Sequence, residues 1–236
     1  MRRRFIADEV SGDHAALLGE HADHLIRVLR VRVGQEFDIV TGEAVRRGQI
    51  RSLTSDRVEF ELSEEIAAGA AVEITLVLSV FKFDRMEWAI EKCTELGVAR
   101  IVPLIARRTD SHLATASAKR AERWRRIARQ AAEQSRRSAP PQIDDPIKLS
   151  QAASLKAALR IVLAESEEQT LLRDVVKAEV AEVLLAVGPE GGWTPDELQS
   201  FQQARWISAS LGNTILRAET AAIAATAVVA SVLTSL

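Results

Sequence analysis

The amino-acid sequence predicts an α/β protein, with a parallel sheet covered by helices on both faces and a small β-rich domain ahead of it. Three observations carry this prediction. Residues 1–70 hold short apolar or alternating runs separated by Gly, Asp and Ser, the pattern of a small barrel. Residues 71–236 alternate between near-continuous apolar runs and amphipathic stretches, as buried parallel strands and their crossover helices require. Two glycine-containing loops then follow two strands close together, at Gly188 and at Gly212.

Composition bounds the class. With 236 residues, 47% apolar and 27% charged, the chain can bury a substantial core and is unlike a disordered sequence. The single cysteine, Cys93, excludes an internal disulfide, and no charged n-region with an apolar h-region opens the sequence, so the cytoplasm is the expected location. Residues 218–236 are mostly Ala, Thr and Val, too weakly apolar for a membrane span and better suited to close packing on another surface, such as a second subunit. Net charge is −2 but unevenly spread: residues 100–140 carry eleven Lys and Arg against three acids, whereas 142–236 carry seven against twelve. A local basic patch, not a basic protein, is what contact with nucleic acid over part of the surface needs.

In the first domain, strands are expected at 3–7, 36–40, 47–53 and 58–62, and one helix over 20–30 puts Leu25, Val28 and Leu29 on a common face. His21 and His24 stand three residues apart there without a third ligand of suitable type, so no metal is expected. The Arg2-Arg3-Arg4 run is a charged end that can also touch phosphate. Residues 64–71 read as a linker. A strand over 72–80 follows, then an amphipathic helix over 83–96 with Phe83, Met86, Ile90, Cys93 and Leu96 on one side and Gly97 at its end, then a strand over 98–105. Cys93 is read as core.

A basic helix over 118–135 carries Lys119, Arg120, Arg123, Arg125, Arg126 and Arg129 around a narrow stripe of Trp124, Ile127, Ala128 and Ala131, and Pro140-Pro141 ends it. Such charge fits a solvated face as well as a phosphate contact. Arg107 and Arg108, at a strand's carboxyl end, join the cluster. A strand over 160–164 and a further helix over 171–181 lead to the last strands.

The buried run 183–187 stops at Gly188-Pro189-Glu190-Gly191-Gly192, where three glycines allow positive φ and close approach of backbone to a ligand. A helix starts at once: Thr194 is the expected N-cap, Pro195 sits at N1, Glu197 at N3 completes a capping box, and Trp193 with Leu198 forms a hydrophobic staple. A strand over 206–211 then ends in Gly212-Asn213. In open parallel sheets ligands settle beyond the carboxyl ends of the strands, so the two loops mark the candidate site. No Gly-Lys-Ser/Thr follows the glycines and no G-x-G-x-x-G is present, which argues against the two common phosphate-binding loops.

Five motifs in order, His24-Leu25-x-x-Val28-Leu29-Arg30, Lys92-x-x-Glu95-Leu96-Gly97-Val98, Gln134-Ser135-x-Arg137-Ser138, Gly188-Pro189-Glu190-Gly191-Gly192 and Leu211-Gly212-x-x-Ile215-Leu216-Arg217-x-Glu219-Thr220-Ala221, resemble the RsmE family over nearly the whole chain. That family comprises SPOUT-class methyltransferases acting on N3 of a uridine in small-subunit ribosomal RNA. The resemblance implies a PUA-like β-barrel RNA-binding domain over 1–70 and a SPOUT methyltransferase domain over 71–236 whose carboxy-terminal segment threads a trefoil knot, an exception to ordinary connection rules. It also implies a homodimer through the knot region. S-adenosylmethionine would lie against Leu163, Val187, Gly188, Pro189, Glu190, Gly191, Leu211, Gly212, Ile215 and Leu216. Arg217 would be the catalytic cation and Glu219 either the base or, as readily, a cap favouring the N-terminus of the final helix, whereas His24, Arg27, Arg30, Arg107, Arg123, Arg126 and Arg137 would contact RNA. Thr214 departs from the family, where many members have arginine. Two other readings fit the same residues: a non-catalytic RNA-binding module, and a nucleotide-dependent enzyme using the glycine loop for phosphate.

Overall fold

The computed structural model describes residues 3–42, 44–66, 73–137 and 139–233. Arg2, Ser138, the 67–71 part of the expected linker and the first residue of the expected 72–80 strand lie outside them. The chain divides into two compact units, Met1–Ala70 with Ala132–Pro140, and Ala71–Ala131 with Pro141–Leu236.

The first unit is built on strands β1 (Arg4–Ile6), β2 (Glu9–Ser11), β3 (His14–Leu18), β4 (Glu36–Thr41), β5 (Ala44–Leu53) and β6 (Arg57–Ile66). They form one sheet in the order β1-β4-β5-β6-β3-β2. Only the β1/β4 pair is parallel. Consecutive residues bond to β4 and β3, each second from one end of this order, because Ala7 N–H donates to the Val40 carbonyl (3.0 Å) and Asp8 N–H to the Ala16 carbonyl (2.9 Å). The core gathers Phe5, Leu17, Leu25, Ile39, Ile50, Val58 and Phe60. Gly48 is needed there, since a Cβ at that position would come within 2.4 Å of Ile39 Cγ1.

Three expectations for this unit need correction. β2 and β3 were not anticipated: His14–Leu18 is Ala- and Leu-rich, without the alternation or β-branching that marks a strand. The expected linker begins too early, as Glu64–Ile66 still pairs within β6. The expected 20–30 helix is not continuous: α1 (Gly19–Asp23) runs into a π-helical turn, His24–Val28. Leu29 N–H bonds to the His24 carbonyl (3.1 Å) and Val31 N–H to that of Leu25 (3.2 Å). The turn closes with Arg30 at φ 51°, a left-handed conformation uncommon outside glycine.

The second unit contains β7 (Glu73–Ser79), α2 (Phe83–Glu95), β8 (Arg100–Ile105), α3 (Ser111–Gln134, whose end from Ala132 belongs to the first unit), β9 (Gln142–Ile143), β10 (Ile147–Lys148) and α4 (Leu149–Ala153). It continues with β11 (Leu159–Leu163), α5 (Leu172–Val175), β12 (Glu182–Val187), α6 (Pro195–Gln203), β13 (Ile207–Ala209) and α7 (Ala218–Leu233). The strands lie in the order β10-β8-β7-β12-β11-β13, with β9 also beside β8. Every pairing is parallel.

Alternate residues of these strands enter two separate cores, as a sheet covered on both faces demands. Leu76, Leu78, Ile101, Ile161, Val183 and Leu185 pack with α2, α3 and α7, whereas Val77, Val102, Val162, Leu184 and Ala186 pack with α4 and α6. The α/β class and the parallel sheet are therefore as the sequence predicted. The α2 boundaries match as well, and Gly97 follows it at φ 101°. α3 starts earlier than expected because Asp110 caps it, its carboxylate accepting from His112 N–H at 2.8 Å. The expected 171–181 helix shrinks to Leu172–Val175, since Val176 turns to extended backbone (ψ 129°) and is buried.

Candidate active site

Two loops at the carboxyl edge of the sheet, after β12 and after β13, form most of the site, and the helix-capping code that follows the first is realised. Thr194 Oγ1 accepts from Glu197 N–H (3.3 Å), and the Glu197 carboxylate accepts from Thr194 N–H (2.8 Å) and Thr194 Oγ1–H (3.0 Å), with Pro195 at N1. Glu197 is only 3% exposed, and its other oxygen accepts from Arg107 N–H at 2.7 Å, which ties the start of α6 to the chain leaving β8. Ahead of the cap, Gly192 N–H bonds to the Pro189 carbonyl (2.8 Å) with Gly192 at φ 68°. A Cβ on Gly188 would meet the Trp193 indole at 3.2 Å, and one on Gly191 would meet the Arg108 side chain at 3.4 Å. These glycines are thus packed against neighbours as well as open to the cleft.

The second loop leaves β13 through buried Ser210, passes Gly212 at φ 117° and reaches α7 after Leu216. A third wall comes from the chain after β11, Leu163 to Glu168. Together they enclose a cleft of about 690 Å³. All ten residues expected to hold a cofactor line it: Leu163, Val187, Gly188, Pro189, Glu190, Gly191, Leu211, Gly212, Ile215 and Leu216.

Its charged lining consists of one guanidinium, Arg108, against four carboxylates, Glu165, Glu167, Glu168 and Glu190. The Glu167 carboxyl is held below its ordinary pKa because the backbone N–H groups of Gln169 and Thr170 donate to it. An excess of carboxylate disfavours a polyphosphate and suits a ligand carrying positive charge. Apolar Leu163, Val187, Leu198, Leu211, Ile215 and Leu216 also line it, and Ile215 is 80% exposed.

Sequence reasoning missed several site residues. Trp193, expected only as the staple partner of Leu198, also forms part of the cleft wall and donates its Nε1–H to the Leu163 carbonyl (2.8 Å). Arg108 donates to the Gly191 carbonyl (2.6 Å). Arg85, from the first turn of α2, reaches Glu190 Oε1 at 3.1 Å and Glu219 Oε1 at 3.7 Å. Glu165, Glu167 and Glu168 did carry a signal, for they follow a strand ending on the same edge of the sheet.

The two residues expected to be catalytic are placed differently from the cofactor set. Neither Arg217 nor Glu219 lines the cleft, though both lie in the segment that leaves its second loop. Arg217 is exposed and has no ion pair among the described residues. Glu219 is 4% exposed at the start of α7, and its Oε2 has no hydrogen-bond partner among the described residues.

The expected RNA-contacting residues fall in both units. His24, Arg27 and Arg30 are exposed on the π-helical turn and just after it, with Arg27 paired to Asp23 at 2.5 Å. Arg137 belongs to the first unit's 132–140 segment, where burial lowers its guanidinium pKa. In the second unit Arg107 and Arg126 are exposed, and Arg123 gives Nε (2.7 Å) and Nη2 (2.9 Å) to Glu87. His21, by contrast, pairs with Asp8 at 3.1 Å, and no group of side chains suited to a metal occurs among the described residues. Nor is any helix among them long and apolar enough to cross a membrane.

A family model described as an RNA methyltransferase domain matches residues 69–230. A Rickettsia conorii protein named ribosomal RNA small subunit methyltransferase E is 31% identical over 226 residues, covering 93% of this chain and 87% of its own. The chain belongs to this RNA methyltransferase family. Among solved structures, a Legionella pneumophila protein in complex with the cofactor SAM superposes with a TM-score of 0.88 at 28% identity, covering 98% of each chain. A ribosomal RNA small subunit methyltransferase E from Neisseria gonorrhoeae, bound to S-adenosyl methionine, gives 0.85 at 30% identity and covers 96% of each. These two solved structures are thus similar in fold to this chain over 96–98% of its length.

Proposed function

We propose that this chain transfers the methyl group of S-adenosylmethionine to N3 of a uridine in small-subunit ribosomal RNA. The observation that carries the reading is the cleft itself: bare glycine backbone and apolar side chains at the carboxyl edge of a parallel sheet, under a net acidic lining. Its volume of about 690 Å³ fits a ligand of that size, and its carboxylates match an ammonium and a sulfonium. When bound, S-adenosylmethionine supplies an electrophilic methyl carbon on positively charged sulfur.

The chain's own groups do the rest. Backbone amides and carbonyls of residues 188–191 and 211–216 orient the donor, and Leu211, Ile215 and Leu216 cover the adenine faces and exclude water. Uridine N3 carries a proton and becomes nucleophilic only as that proton leaves. Glu219 Oε2 is assigned as the acceptor, and Arg217 as the cation that stabilises negative charge spreading over the ring carbonyls. RNA is held by His24, Arg27, Arg30, Arg107, Arg126 and Arg137, and by Arg123 to the extent that it leaves Glu87.

The finer architecture follows the same reading. The 1–70 domain is a PUA-like barrel, which the bonding of adjacent Ala7 and Asp8 to β4 and β3, far apart in the sheet order, supports. The 71–236 domain is of SPOUT type with a carboxy-terminal trefoil knot. The protein is a cytoplasmic homodimer, supported by half-buried Ile223, Val228 and Val232 on alanine-rich α7, where small side chains allow close helix approach. Mass-spectrometric mapping of small-subunit RNA from a strain lacking the protein is the test. One uridine losing its N3 methyl group is the expected result, and an unchanged map overturns the assignment.

A further inference from the structure

A loop with three glycines in five residues does not hold its own shape. Three contacts pin the 188–192 loop and its exit to three other places, one made by the exit residue itself and two by side chains from elsewhere. Trp193 fastens it to β11 through the Leu163 carbonyl, Arg108 fastens the Gly191 carbonyl to the chain after β8, and Arg85 of α2 takes Glu190. Of the three, Arg85 alone also reaches the start of α7, which follows the second loop, with the same Nη1 at 3.1 Å from Glu190 Oε1 and 3.7 Å from Glu219 Oε1. One guanidinium therefore serves two carboxylates, one of them 6% exposed and with a second oxygen lacking any partner among the described residues.

We infer that Arg85 is a positioning residue that clamps the 188–192 loop to the first turn of α7, so that both cofactor-holding walls face one ligand in register. The inference rests on the reading that the cleft holds S-adenosylmethionine. Without the guanidinium, Glu190 is free to turn outward, since a third of its side chain already meets solvent, and Glu219 keeps its burial without a counter-charge. Lysine at this position would keep a point charge between the carboxylates but lose the planar fork, so it restores part of the clamp.

The test uses the full chain carrying Arg85→Met, Arg85→Lys, Glu190→Gln and the Met/Gln double variant. Calorimetry with S-adenosylmethionine should show Arg85→Met binding about tenfold more weakly, the scale of one charge-assisted hydrogen bond partly screened by solvent. Arg85→Lys should recover to within about threefold, and the KM for RNA should stay unchanged. In the Glu190→Gln background, Arg85→Met should cost much less than about tenfold, because the two residues act through one contact. Hydrogen exchange without ligand gives an independent readout. Arg85→Met should speed exchange at Gly192 N–H and Ala221 N–H together, which bond to Pro189 and Arg217 carbonyls at 2.8 Å each. Multiplicative effects in the double variant, or faster exchange on one side only, overturn the clamp. Failure of the unaltered protein to bind S-adenosylmethionine would sink the parent reading instead, and the exchange result would still decide the clamp.

Discussion

Replacing Glu197 by alanine tests the link between local code and site most directly. The carboxylate is 3% exposed and accepts three hydrogen bonds, from Arg107 N–H (2.7 Å), Thr194 N–H (2.8 Å) and Thr194 Oγ1–H (3.0 Å). Removing it undoes the N-terminal capping box of α6, worth about 1 kcal/mol, and strands two backbone donors at about 1–3 kcal/mol each, less whatever water recovers at exposed Arg107. The expected loss is about 3 kcal/mol, or about 6–12 °C in Tm for a chain of this size. Glu197→Gln keeps one acceptor oxygen but turns an amide NH2 toward a donor, so about half that loss is expected. Unfolding followed by tryptophan fluorescence suits the site, because Trp193 and Trp206 share one core with α6. A change below about 1 kcal/mol for Glu197→Ala, or a glutamine variant as damaged as the alanine one, would refute the claim that this carboxylate organises the loop.

Three further outcomes follow from the same geometry. Gly188→Ala puts a methyl 3.2 Å from the Trp193 indole, which must shift and strain its bond to Leu163, so a cost of about 1–2 kcal/mol and weaker S-adenosylmethionine binding are expected by thermal melts and calorimetry. Arg217→Ala, at an exposed position outside the cleft lining, should retain cofactor binding while single-turnover methylation falls about 100-fold; an unaltered rate removes its role. Burial pushes the Cys93 thiol up to about 12 from 9.0, so iodoacetamide should label it only on unfolding. Because the folded state holds this proton after the unfolded chain has lost it, stability should drop by about 1.4 kcal/mol per pH unit above pH ~9, readable from urea titrations.

What the sequence disclosed depended on the distance over which each feature is encoded. The Thr194-Pro195-Glu197 start of α6 was legible to the residue because capping chemistry spans three positions. The parallel sheet was legible because strands buried on both faces leave continuous apolar runs, as in Glu182–Val187 and Glu73–Ser79. The cleft-lining residues after β12 and β13 were legible as glycine-bearing strand ends in a resembling family. β3 was not, because two alanines and two leucines in five residues speak as readily for helix, and only pairing with β6 decides the matter. Arg85 was hidden for a related reason. Its partners lie 105 and 134 residues away, and nothing local to Asp84-Arg85-Met86 separates a structural cation from a solvated one. The early start of α3, like the Glu165–Glu168 wall, was a miss with a readable cue, Asp110 ahead of a helical run.

The dispersal of the cleft along the chain has a consequence for how the protein is made. The β-rich unit has its last segment once Pro140 has been synthesised, whereas the cleft lining ends only at Ala221. At translation speeds of about 5–20 residues per second, the interval between the two is about 4–16 s. During that time the nascent polypeptide has the part assigned to grasping RNA but not the part assigned to gripping the methyl donor, so free donor cannot stabilise the chain by mass action until synthesis is nearly over.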